Sequence, residues 1–378
     1  MGPRPAEDAA PRAVKVLSDE LTDLFITTDR PLRIKCGFDP TAPELHLGHA
    51  VLLRKLRQFQ DAGHIPVLII GDFTAAIGDP TGRNAARPAL SKEEIERNAE
   101  ALEGQFFRIL DGGKPFEVRR NSEWFQDSGA LVKLMATHTV SQLLEREDFS
   151  KRFNEEKPIH LHELLYPLLQ GWDSVMVDAD VELGGTDQMF NLHMGRELQR
   201  SVGRKPQVCI TMPIIPGIDG QKMSKSLGNH VGITEFPASQ FAKLMSFSDK
   251  AAEELRWAFE IHRVTGDAKQ LKKWTAGLIV AMIHGPEAAA AAQEAWERQF
   301  ERHEQPDMET VTVKRDRLDR VLVAAGLAVS NTEAQRKIQE GAVWVDGIRQ
   351  KDSKFMLSEA AVLKLGRNWK RVEFARTQ

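Results

Sequence analysis

Cysteine is scarce in this sequence, since only Cys36 and Cys209 occur among its 378 residues. Two cysteines cannot build a disulfide framework, nor can they supply a zinc quartet. The opening stretch MGPRPAEDAAPRAV lacks the apolar core of a signal peptide, and no apolar run is long enough to cross a bilayer. We therefore expect a reduced, cytoplasmic protein with no membrane partner and no protein-bound structural metal.

Low-complexity tracts and fixed repeats are also missing, and tyrosine occurs once, as Tyr166, beside 18 phenylalanines. A single tyrosine among so many phenylalanines suggests that its hydroxyl group is needed. The composition, 42% apolar and 28% charged, is typical of a globular protein. A chain of 378 residues exceeds one ordinary domain, so we expect two or three.

The net charge of −3 conceals an uneven distribution. Residues 312–378 contain 14 Lys and Arg against 8 Asp and Glu, a net charge of +6, while the rest of the chain carries −9. A basic module on an acidic body suggests that the module contacts nucleic acid. A solvated charged face explains so modest an excess equally well.

The first part of the chain shows the pattern of an open α/β domain. Residues 33–38 predict a strand, the stretch HAVLLRKLRQFQDAG predicts a helix, and the apolar run at 65–72 predicts a buried parallel strand. Strand, helix and strand form one βαβ unit. A capping box of Ser91 and Glu94 predicts a further helix.

The remainder divides into two regions of different character. Residues 234–308 are rich in helical patterns and poor in strands, which predicts an all-helical domain, with the best linker candidate at 304–309. Residues 312–378 predict two small helices and a small sheet, with a capping box of Ser330 and Glu333 and an Asp-Gly turn. We therefore expect three domains: 1–233, 234–308 and 312–378.

The segment HLGH, residues 46–49, follows the first predicted strand and starts a helix. It could be half of a metal site, a nucleotide-binding turn, or a feature of local packing. A zinc site needs three or four ligands, and neither a cysteine pair nor an HExxH glutamate accompanies these histidines. Taken alone, the turn would best fit the packing interpretation.

A second motif, GQKMSKSLGN at 220–229, follows the last α/β strand. Two lysines three residues apart on a glycine-flanked loop suit a phosphate chain on which charge develops. By itself the loop is equally compatible with an ordinary polar surface. The combination with HLGH is far more specific, and it is similar to the double signature of class I aminoacyl-tRNA synthetases, whose Rossmann-type fold binds ATP between the two turns.

Five further blocks narrow the resemblance, in the same order along the chain: CGFDPTAPELHLGH, IGDPTGR, LLYPLLQGWDSV, GGTDQMFN and KLMSFSD. They resemble the bacterial tyrosyl-tRNA synthetases, in the branch that carries HLGH and KMSKS. The C-terminal region resembles the RNA-binding domain named after ribosomal small-subunit protein four. The resemblance implies a Rossmann-type catalytic domain, a helical domain on the anticodon side and a small α+β RNA-binding domain.

The same resemblance implies the activity and the partners. Such an enzyme joins L-tyrosine to ATP, supplied with Mg²⁺, to form tyrosyl-adenylate and pyrophosphate. It then moves the tyrosyl group to the 3′-terminal adenosine of tRNA(Tyr). The family is homodimeric, and its subunits meet through the segment inserted between the halves of the α/β domain.

Residue roles follow from the resemblance as well. The expected phosphate-acting residues are His46, His49, Lys222, Lys225, Arg83 and Arg87. The expected ATP-binding residues are Gly37, Asp39, Thr41, Gly48, Gly185, Asp187, Met223, Ser224 and Ser226. The expected tyrosine-binding residues are Lys35, Asp72, Asp79, Tyr166, Gln170, Asp173 and Gln188.

Within the tyrosine set, Tyr166, Gln170 and Asp79 would hold the α-ammonium group of tyrosine, and Gln188 would help to position its carboxylate. Asp173, on the helical face of Tyr166, would accept the phenolic proton. From the residues alone, Asp79 could be a turn-forming residue and the helix could have a solvated face.

One position departs from the pattern of many bacterial relatives, which have a tyrosine before Cys-Gly in the first strand. Here that residue is Lys35. Its ammonium group could hold Asp173 ionised, and Asp72 is a possible substitute for the missing hydroxyl contact.

Two alternatives remain at this point. A tryptophanyl-tRNA synthetase shares the fold, but it lacks the basic module, and Asp173 suits a phenol. An RNA-binding protein built on a retired synthetase has no reason to keep HLGH, KMSKS, Asp79 and Asp187 together.

Overall fold

In the computed structural model of this protein, the described residues are 15–16 (backbone alone), 24–25, 27–79, 90–261, 265–302, 309–366 and 368–374. The chain divides into two units, Met1–Gln293 and Glu294–Gln378. Within the described ranges, no helix is long and apolar enough to cross a membrane.

The first unit is built on a six-stranded sheet. Its strands are β1 (Lys15–Val16), β2 (Arg33–Phe38), β3 (Ile65–Ile70), β4 (Glu117–Arg120), β5 (Val181–Gly185) and β6 (Val208–Met212). The spatial order is β1-β6-β5-β2-β3-β4, with β1 antiparallel at the edge and the other five strands parallel. The order of strands reverses between β2 and β5, and ligands of open α/β sheets bind at such a reversal.

Twelve helices are described from the first unit into the start of the second. They are α1 (Leu47–Asp61), α2 (Asp72–Ala75), α3 (Lys92–Phe106), α4 (Ser128–Met135), α5 (Val140–Leu143), α6 (Glu147–Asn154), α7 (Leu161–Met176), α8 (Met189–Ser201), α9 (Pro237–Met245), α10 (Asp249–Ala258), α11 (Ala268–His284) and α12 (Pro286–Phe300). The capping box of Ser91 and Glu94 at the start of α3 is confirmed. The predicted strand over 65–72 ends earlier, at Ile70, because Asp72 begins the short helix α2.

The central strands are buried, as parallel strands with both faces covered must be. Val67, Leu68, Ile69 and Ile70 of β3 have no exposed surface. The neighbouring strands differ in that β2 and β5 each bury a charged residue, and these two residues support the site described below.

Helices α7 and α8 cross at a pair of glycines, which lets their backbones approach closely. A Cβ atom added to Gly171 would lie 2.9 Å from the backbone nitrogen of Gly195 and 3.0 Å from Leu198 Cδ1. One added to Gly195 would lie 2.6 Å from Gln207 Nε2. A Cβ atom at either position would force a neighbouring atom to move, so the two glycines allow the close approach of the helices.

The second unit is a small α+β module with a sheet of five strands in the order β10-β9-β12-β13-β7 and a two-stranded ribbon of β8 and β11. Its elements are β7 (Thr310–Val313), β8 (Asp316–Arg317), α13 (Leu318–Ala324), α14 (Asn331–Gln339), β9 (Val343–Val345), β10 (Ile348–Gln350), β11 (Met356–Leu357), β12 (Ala361–Leu365) and β13 (Asn368–Phe374). One face of the sheet packs on the two helices through Leu318, Leu322, Ile338, Leu363 and Val372.

The local predictions for this module are largely confirmed. Asp346 and Gly347 both have positive φ, at 48° and 79°, as the predicted Asp-Gly hairpin turn requires. Ser330 caps α14, but the carboxylate of Glu333 accepts from Val329 N rather than Ser330 N, so only half of the predicted box forms. Most of the predicted linker lies outside the described residues, and the three domain boundaries stay predictions.

The glycine crossing predicts a steric penalty. Gly171→Ala should lower the urea midpoint by an amount that corresponds to about 1–3 kcal/mol, because the new methyl group overpacks the contact with α8. The matched control is Gly104→Ala in α3, where an added Cβ meets nothing within 4 Å. That change should be neutral or stabilising. Circular dichroism follows the unfolding in urea. Equal urea midpoints for the two variants would contradict the proposed role of the crossing.

Candidate active site

A cleft of about 380 Å³ opens at the carboxyl ends of β2, β3, β5 and β6. Its walls bring together 17 of the residues expected to form the site: Gly37, Asp39, Thr41, His46, Gly48, His49, Asp79, Tyr166, Gln170, Asp173, Gly185, Asp187, Gln188, Lys222, Met223, Ser224 and Lys225. Lys35, Asp72 and Ser226 do not line it, while Arg83 and Arg87 lie outside the described residues.

The two histidines of the HLGH turn form a reciprocal cap on helix α1. His46 is the N-cap residue, and its Nδ1 accepts from the backbone N–H of Gly48 at 3.1 Å. Nδ1 of His49 accepts from the backbone N–H of His46 at 3.1 Å. Two otherwise unpaired donors of the helix start are thereby satisfied by imidazole nitrogens, in the manner of a capping box.

Both rings are neutral near pH 7. Burial and the neighbouring positive charges lower the pKa of His46 to about 2, and burial and Lys225 lower the pKa of His49 to about 4. Since each Nδ1 accepts a hydrogen bond, the proton of each neutral ring lies on Nε2. The cap therefore leaves two N–H donors available beside the positive end of the α1 dipole.

Gly48 is required by this cap. An added Cβ atom would lie 2.9 Å from Cε1 and 3.0 Å from Nδ1 of His46. The sequence analysis expects this glycine among the ATP-binding residues, and the structure shows that the position of the His46 ring also requires it.

The lysine loop faces the histidine turn across the cleft. Lys222 Nζ forms an ion pair with Asp187 Oδ2 at 2.8 Å. Lys225 is half-buried, its Nζ donates to the backbone carbonyl of Glu44, and burial lowers its pKa. Asn229 fixes the loop, because its Oδ1 accepts from Ser224 N at 2.8 Å and its Nδ2 donates to Lys222 O at 3.1 Å.

The opposite end of the cleft is lined by helix α7, which presents Tyr166, Gln170 and Asp173 on one face, as expected. The Tyr166 hydroxyl donates to Asp39 Oδ2 at 2.8 Å, and Thr74 Oγ1 donates to Asp39 Oδ1 at 2.8 Å. Asp39, which was expected in the ATP groove, thus also fixes the one tyrosine of the chain.

A chain of amides connects the two sides of this end. Gln188 Nε2 donates to Asp79 Oδ2 at 2.9 Å. Asn191 Nδ2 donates to both Gln188 Oε1 and Gln170 Oε1, at 2.9 Å in each case. The network fixes the amide orientations and aligns several oxygen acceptors along the wall.

Asp173 is a buried carboxylate, with 4% of its surface exposed. Its Oδ1 accepts from Trp124 Nε1 at 2.9 Å. Burial raises its pKa to about 7, against the lowering influence of Lys35, Trp124 and Asn121. Near neutral pH this carboxylate can therefore gain or lose a proton in response to a ligand.

Two expectations need correction. Lys35 does not touch the cleft: its Nζ pairs with Glu182 Oε1 at 2.8 Å, whereas an ion pair with Asp173 was considered. Asp72 cannot substitute for a substrate-binding hydroxyl group, because Ser122 and the backbone of Phe73 occupy its carboxylate. Lys35 and Asp72 thus lie beneath the wall of the cleft and do not line it.

Comparison with known proteins decides the family. A family model described as tRNA synthetases class I (W and Y) matches residues 27–301, and an S4 domain model matches residues 316–363. The chain is 47% identical over 363 residues to tyrosine–tRNA ligase of Moorella thermoacetica, a match that covers 90% of this chain and 88% of that one. The chain belongs to the tyrosine–tRNA ligase family.

Other comparisons agree with this. Tyrosine–tRNA ligase of Acidithiobacillus ferrooxidans is 49% identical over 360 residues, which is 89% of this chain and 88% of that one. Among solved structures, tyrosyl-tRNA synthetase of Archaeoglobus fulgidus shares the fold with a TM-score of 0.57 at 24% identity, covering 75% of this chain and 92% of that one. The identities of 47% and 49% to the two tyrosine–tRNA ligases decide against the tryptophanyl alternative.

Sequence reasoning missed several supporting residues of this family member: Glu44, Thr74, Trp124, Glu182, Asn191 and Asn229. Several of their contacts reach across long stretches of chain, and Trp124 and Asp173, for example, are 49 positions apart. Glu44, Thr74, Glu182, Asn191 and Asn229 lie inside or beside the quoted motifs, whereas Trp124 lies in none of them.

The neutral histidines predict how stability responds to pH. The pKa of His49 is lower in the folded chain than in the unfolded chain. As the pH falls below the ordinary pKa of histidine, the unfolded chain therefore takes up the proton first. The free energy of unfolding should therefore decrease as pH falls from about 6.5 towards about 4.

His49→Asn is the test, because the Asn oxygen can replace Nδ1 in the cap while the titrating ring is removed. Urea unfolding at pH 7 and pH 5 should show a smaller loss in the variant than in the unsubstituted chain. An identical loss in both proteins would show that His49 is not held neutral.

Proposed function

We propose that this chain, a tyrosine–tRNA ligase by family, forms tyrosyl-adenylate inside the cleft described above. The observation that carries the proposal is the division of the cleft into two chemically different ends. One end holds buried oxygen acceptors on α7, and the other holds neutral imidazole N–H donors and two lysines. The first suits an amino acid with an ammonium group and a phenol, and the second suits a phosphate chain.

At the tyrosine end, the α-ammonium group of the substrate would donate to oxygen acceptors. Asp79, Gln170 and Tyr166 supply a carboxylate, an amide and a phenol there, and Asn191 holds the amide of Gln170 in place. The phenol of the substrate would donate to Asp173, the one carboxylate buried deeper along the same helix face. Phenylalanine offers Asp173 no donor and would leave the acceptor site for the phenol buried and unpaired.

At the ATP end, the Nε2–H groups of His46 and His49 would donate to phosphate oxygens. Ribose hydroxyls suit Asp187, as carboxylates bind ribose in other nucleotide folds. Since Asp187 is paired with Lys222 at 2.8 Å, ribose binding would free this lysine for the phosphates. Arg83 and Arg87, outside the described residues, stay predicted ligands of pyrophosphate.

The reaction then needs no enzyme nucleophile. A carboxylate oxygen of tyrosine attacks the α-phosphorus of ATP, the bond to the bridging oxygen breaks, and pyrophosphate leaves. A ribose hydroxyl of the terminal adenosine of tRNA(Tyr) next attacks the acyl carbon, and AMP leaves. The protein contributes positioning and charge stabilisation. We propose that Mg²⁺ enters with ATP as part of the substrate; among the described residues, no group of three or more His, Cys, Asp or Glu could hold a metal ion.

The basic second unit is the proposed contact for tRNA. Trp344, Lys364 and Trp369 lie side by side on three adjacent strands, and Lys364 Nζ lies 4.7 Å from the Trp369 ring centroid and 6.0 Å from that of Trp344. Half-exposed indoles beside cations can stack on unpaired bases and attract phosphates. The net charge of +6 over 312–378 supports this assignment.

A homodimer is proposed from an apolar surface on the inserted segment between β4 and β5. Val132, Met135, Val140, Phe153 and Leu161 are exposed, Leu161 to 80%. Large apolar side chains concentrated in one segment mark a protein interface. We also propose that the enzyme works in the cytoplasm, in agreement with the buried thiols of Cys36 and Cys209, which form no disulfide in the described part of the chain.

Exchange of labelled pyrophosphate into ATP tests the function. The exchange should depend on tyrosine and should be absent with tryptophan. Because adenylate formation needs no tRNA, the exchange should run in its absence. Exchange that depends on another amino acid, or no exchange at all, would contradict the proposal.

The lysine loop generates a separate prediction. Lys222→Ala and Lys225→Ala should each lower the rate of adenylate formation by about 10²–10³-fold, because they remove a donor that stabilises charge in the transition state. Tyrosine affinity should change little, since both lysines lie at the other end of the cleft. Rapid-quench kinetics measure both quantities. The control is Lys205→Ala, an exposed lysine away from the cleft, and rates equal to the control would exclude the loop as the phosphate clamp.

A further inference from the structure

One of the largest fully buried side chains of the described residues is a charged one, Lys35 in the middle of β2. Its Nζ donates to Glu182 Oε1 at 2.8 Å, to Ser174 Oγ at 2.7 Å and to the backbone carbonyl of Gln170 at 2.7 Å. These three acceptors match the three protons of an ammonium group. Lys35 is therefore fully bonded without water.

Glu182 is equally well satisfied. Beyond Lys35, its second oxygen accepts from Ser174 Oγ at 3.0 Å and from Gln207 Nε2. Burying two charges costs free energy that their attraction seldom recovers in full, so such a pair is weak evidence for stability. A packed apolar pair would serve the core at least as well, which points to a role in the function of the neighbouring pocket.

The pair bonds to the helix that carries the tyrosine-binding groups. Gln170 and Ser174 lie on either side of Asp173 along α7, within one helical turn of it. The pair therefore supports this turn from the side of the sheet. Helix α8 leaves space for the cluster through Gly195, where an added Cβ would lie 3.0 Å from Ser174 Oγ and 3.3 Å from Glu182 Oε2.

We propose that Lys35 and Glu182 form a positioning pair for tyrosine recognition, which anchors helix α7 from beneath and supplies the counter-charge for Asp173. Neither residue touches the substrate. The inference rests on the proposed function of the cleft, and it adds a specificity-determining element to it. The pair acts on Gln170 through a hydrogen bond to the helix backbone, and it acts on Asp173 through charge.

The electrostatics of Asp173 give this role a signature. Burial raises its pKa to about 7, Lys35 lowers it, and Glu182 raises it by less than Lys35 lowers it. Trp124 and Asn121 face the same carboxylate as neutral donors.

Tyr166, Cys36, Asp39 and Asp79 are other titratable groups at this end of the cleft. Tyr166 and Cys36 stay protonated, because burial raises the pKa of each well above its ordinary value. A change of the pH profile that depends on Lys35 and Glu182 is therefore assigned to Asp173, the carboxylate whose pKa both residues influence.

The test is the pH dependence of kcat/KM for tyrosine in pyrophosphate exchange, using the full-length chain. Lys35→Met should raise the apparent pKa by about one unit or more, because the positive charge beside Asp173 is lost. Glu182→Gln should lower it, because the ammonium group then has Asp173 as its remaining charged neighbour. KM for tyrosine should rise in Lys35→Met at pH 7, while KM for ATP stays the same.

Folding is controlled in two ways. The double variant Lys35→Met with Glu182→Gln leaves no unpaired charge, and it should show an upward shift that is smaller than that of Lys35→Met, because the raising influence of Glu182 is lost as well. Glu163→Gln breaks another buried ion pair, in which Glu163 of α7 meets Arg152 at 2.6 Å. Glu163 lies about 15 Å along the helix from Asp173. Glu163→Gln should lower the melting temperature and leave the apparent pKa unchanged.

Opposite shifts in Lys35→Met and Glu182→Gln support the proposal. Unchanged values, or shifts in one direction for both, overturn it and leave a purely structural pair. If the unsubstituted chain shows no tyrosine-dependent exchange, the proposed function and this inference fail together, whereas normal exchange with unmoved values rejects the inference alone.

Discussion

A buried ion pair lies where the sheet of this protein reverses its strand order. Lys35 belongs to β2 and Glu182 to β5, the two strands that border the reversal, and 147 residues of chain separate them. The carboxyl ends of the same strands open into the cleft. Because the pair also bonds to Gln170 and Ser174, the position of the strands and the position of α7 are fixed by one cluster. These contacts therefore determine the geometry of the proposed tyrosine-binding wall.

The opposite end of the cleft is organised by a different constraint, the unpaired N–H groups at the start of α1. His46 and His49 satisfy two of them through Nδ1, which fixes their tautomer and directs Nε2–H outward. Burial keeps both rings uncharged, so they can donate hydrogen bonds to phosphates without titrating near pH 7. Positive charge at this end comes from Lys222 and Lys225. Neutral hydrogen-bond donation and positive charge are therefore supplied by separate residues.

The sequence was informative wherever the physical cause was local. The apolar run of β3, the cap at Ser91 and the hairpin turn at Asp346 each depend on a few neighbouring residues, and the structure confirms them. The HLGH and KMSKS motifs identified both sides of the cleft because class I synthetases place them at fixed ends of the sheet.

The sequence was uninformative where partners are distant along the chain. Whether Lys35 meets Asp173 or Glu182 depends on how β2, β5 and α7 pack, and no local pattern reports that packing. Asp72 was expected in the pocket because it follows a strand, yet the backbone of Ser122 reaches its carboxylate first. Trp124 carries no motif, and its role became visible only once its indole N–H was placed 2.9 Å from Asp173.

The central claim is that a tunable buried carboxylate, Asp173, selects the substrate by accepting its phenolic hydrogen bond. With a pKa of about 7, Asp173 is partly protonated at neutral pH. A hydrogen bond donated to the carboxylate favours its ionised form.

Calorimetry of tyrosine binding at pH 7, in buffers of different ionisation enthalpy, tests this claim most directly. The account predicts net release of protons on binding by the unsubstituted chain and no such release by Asp173→Asn. Binding without proton release, or equal release by both proteins, would contradict it.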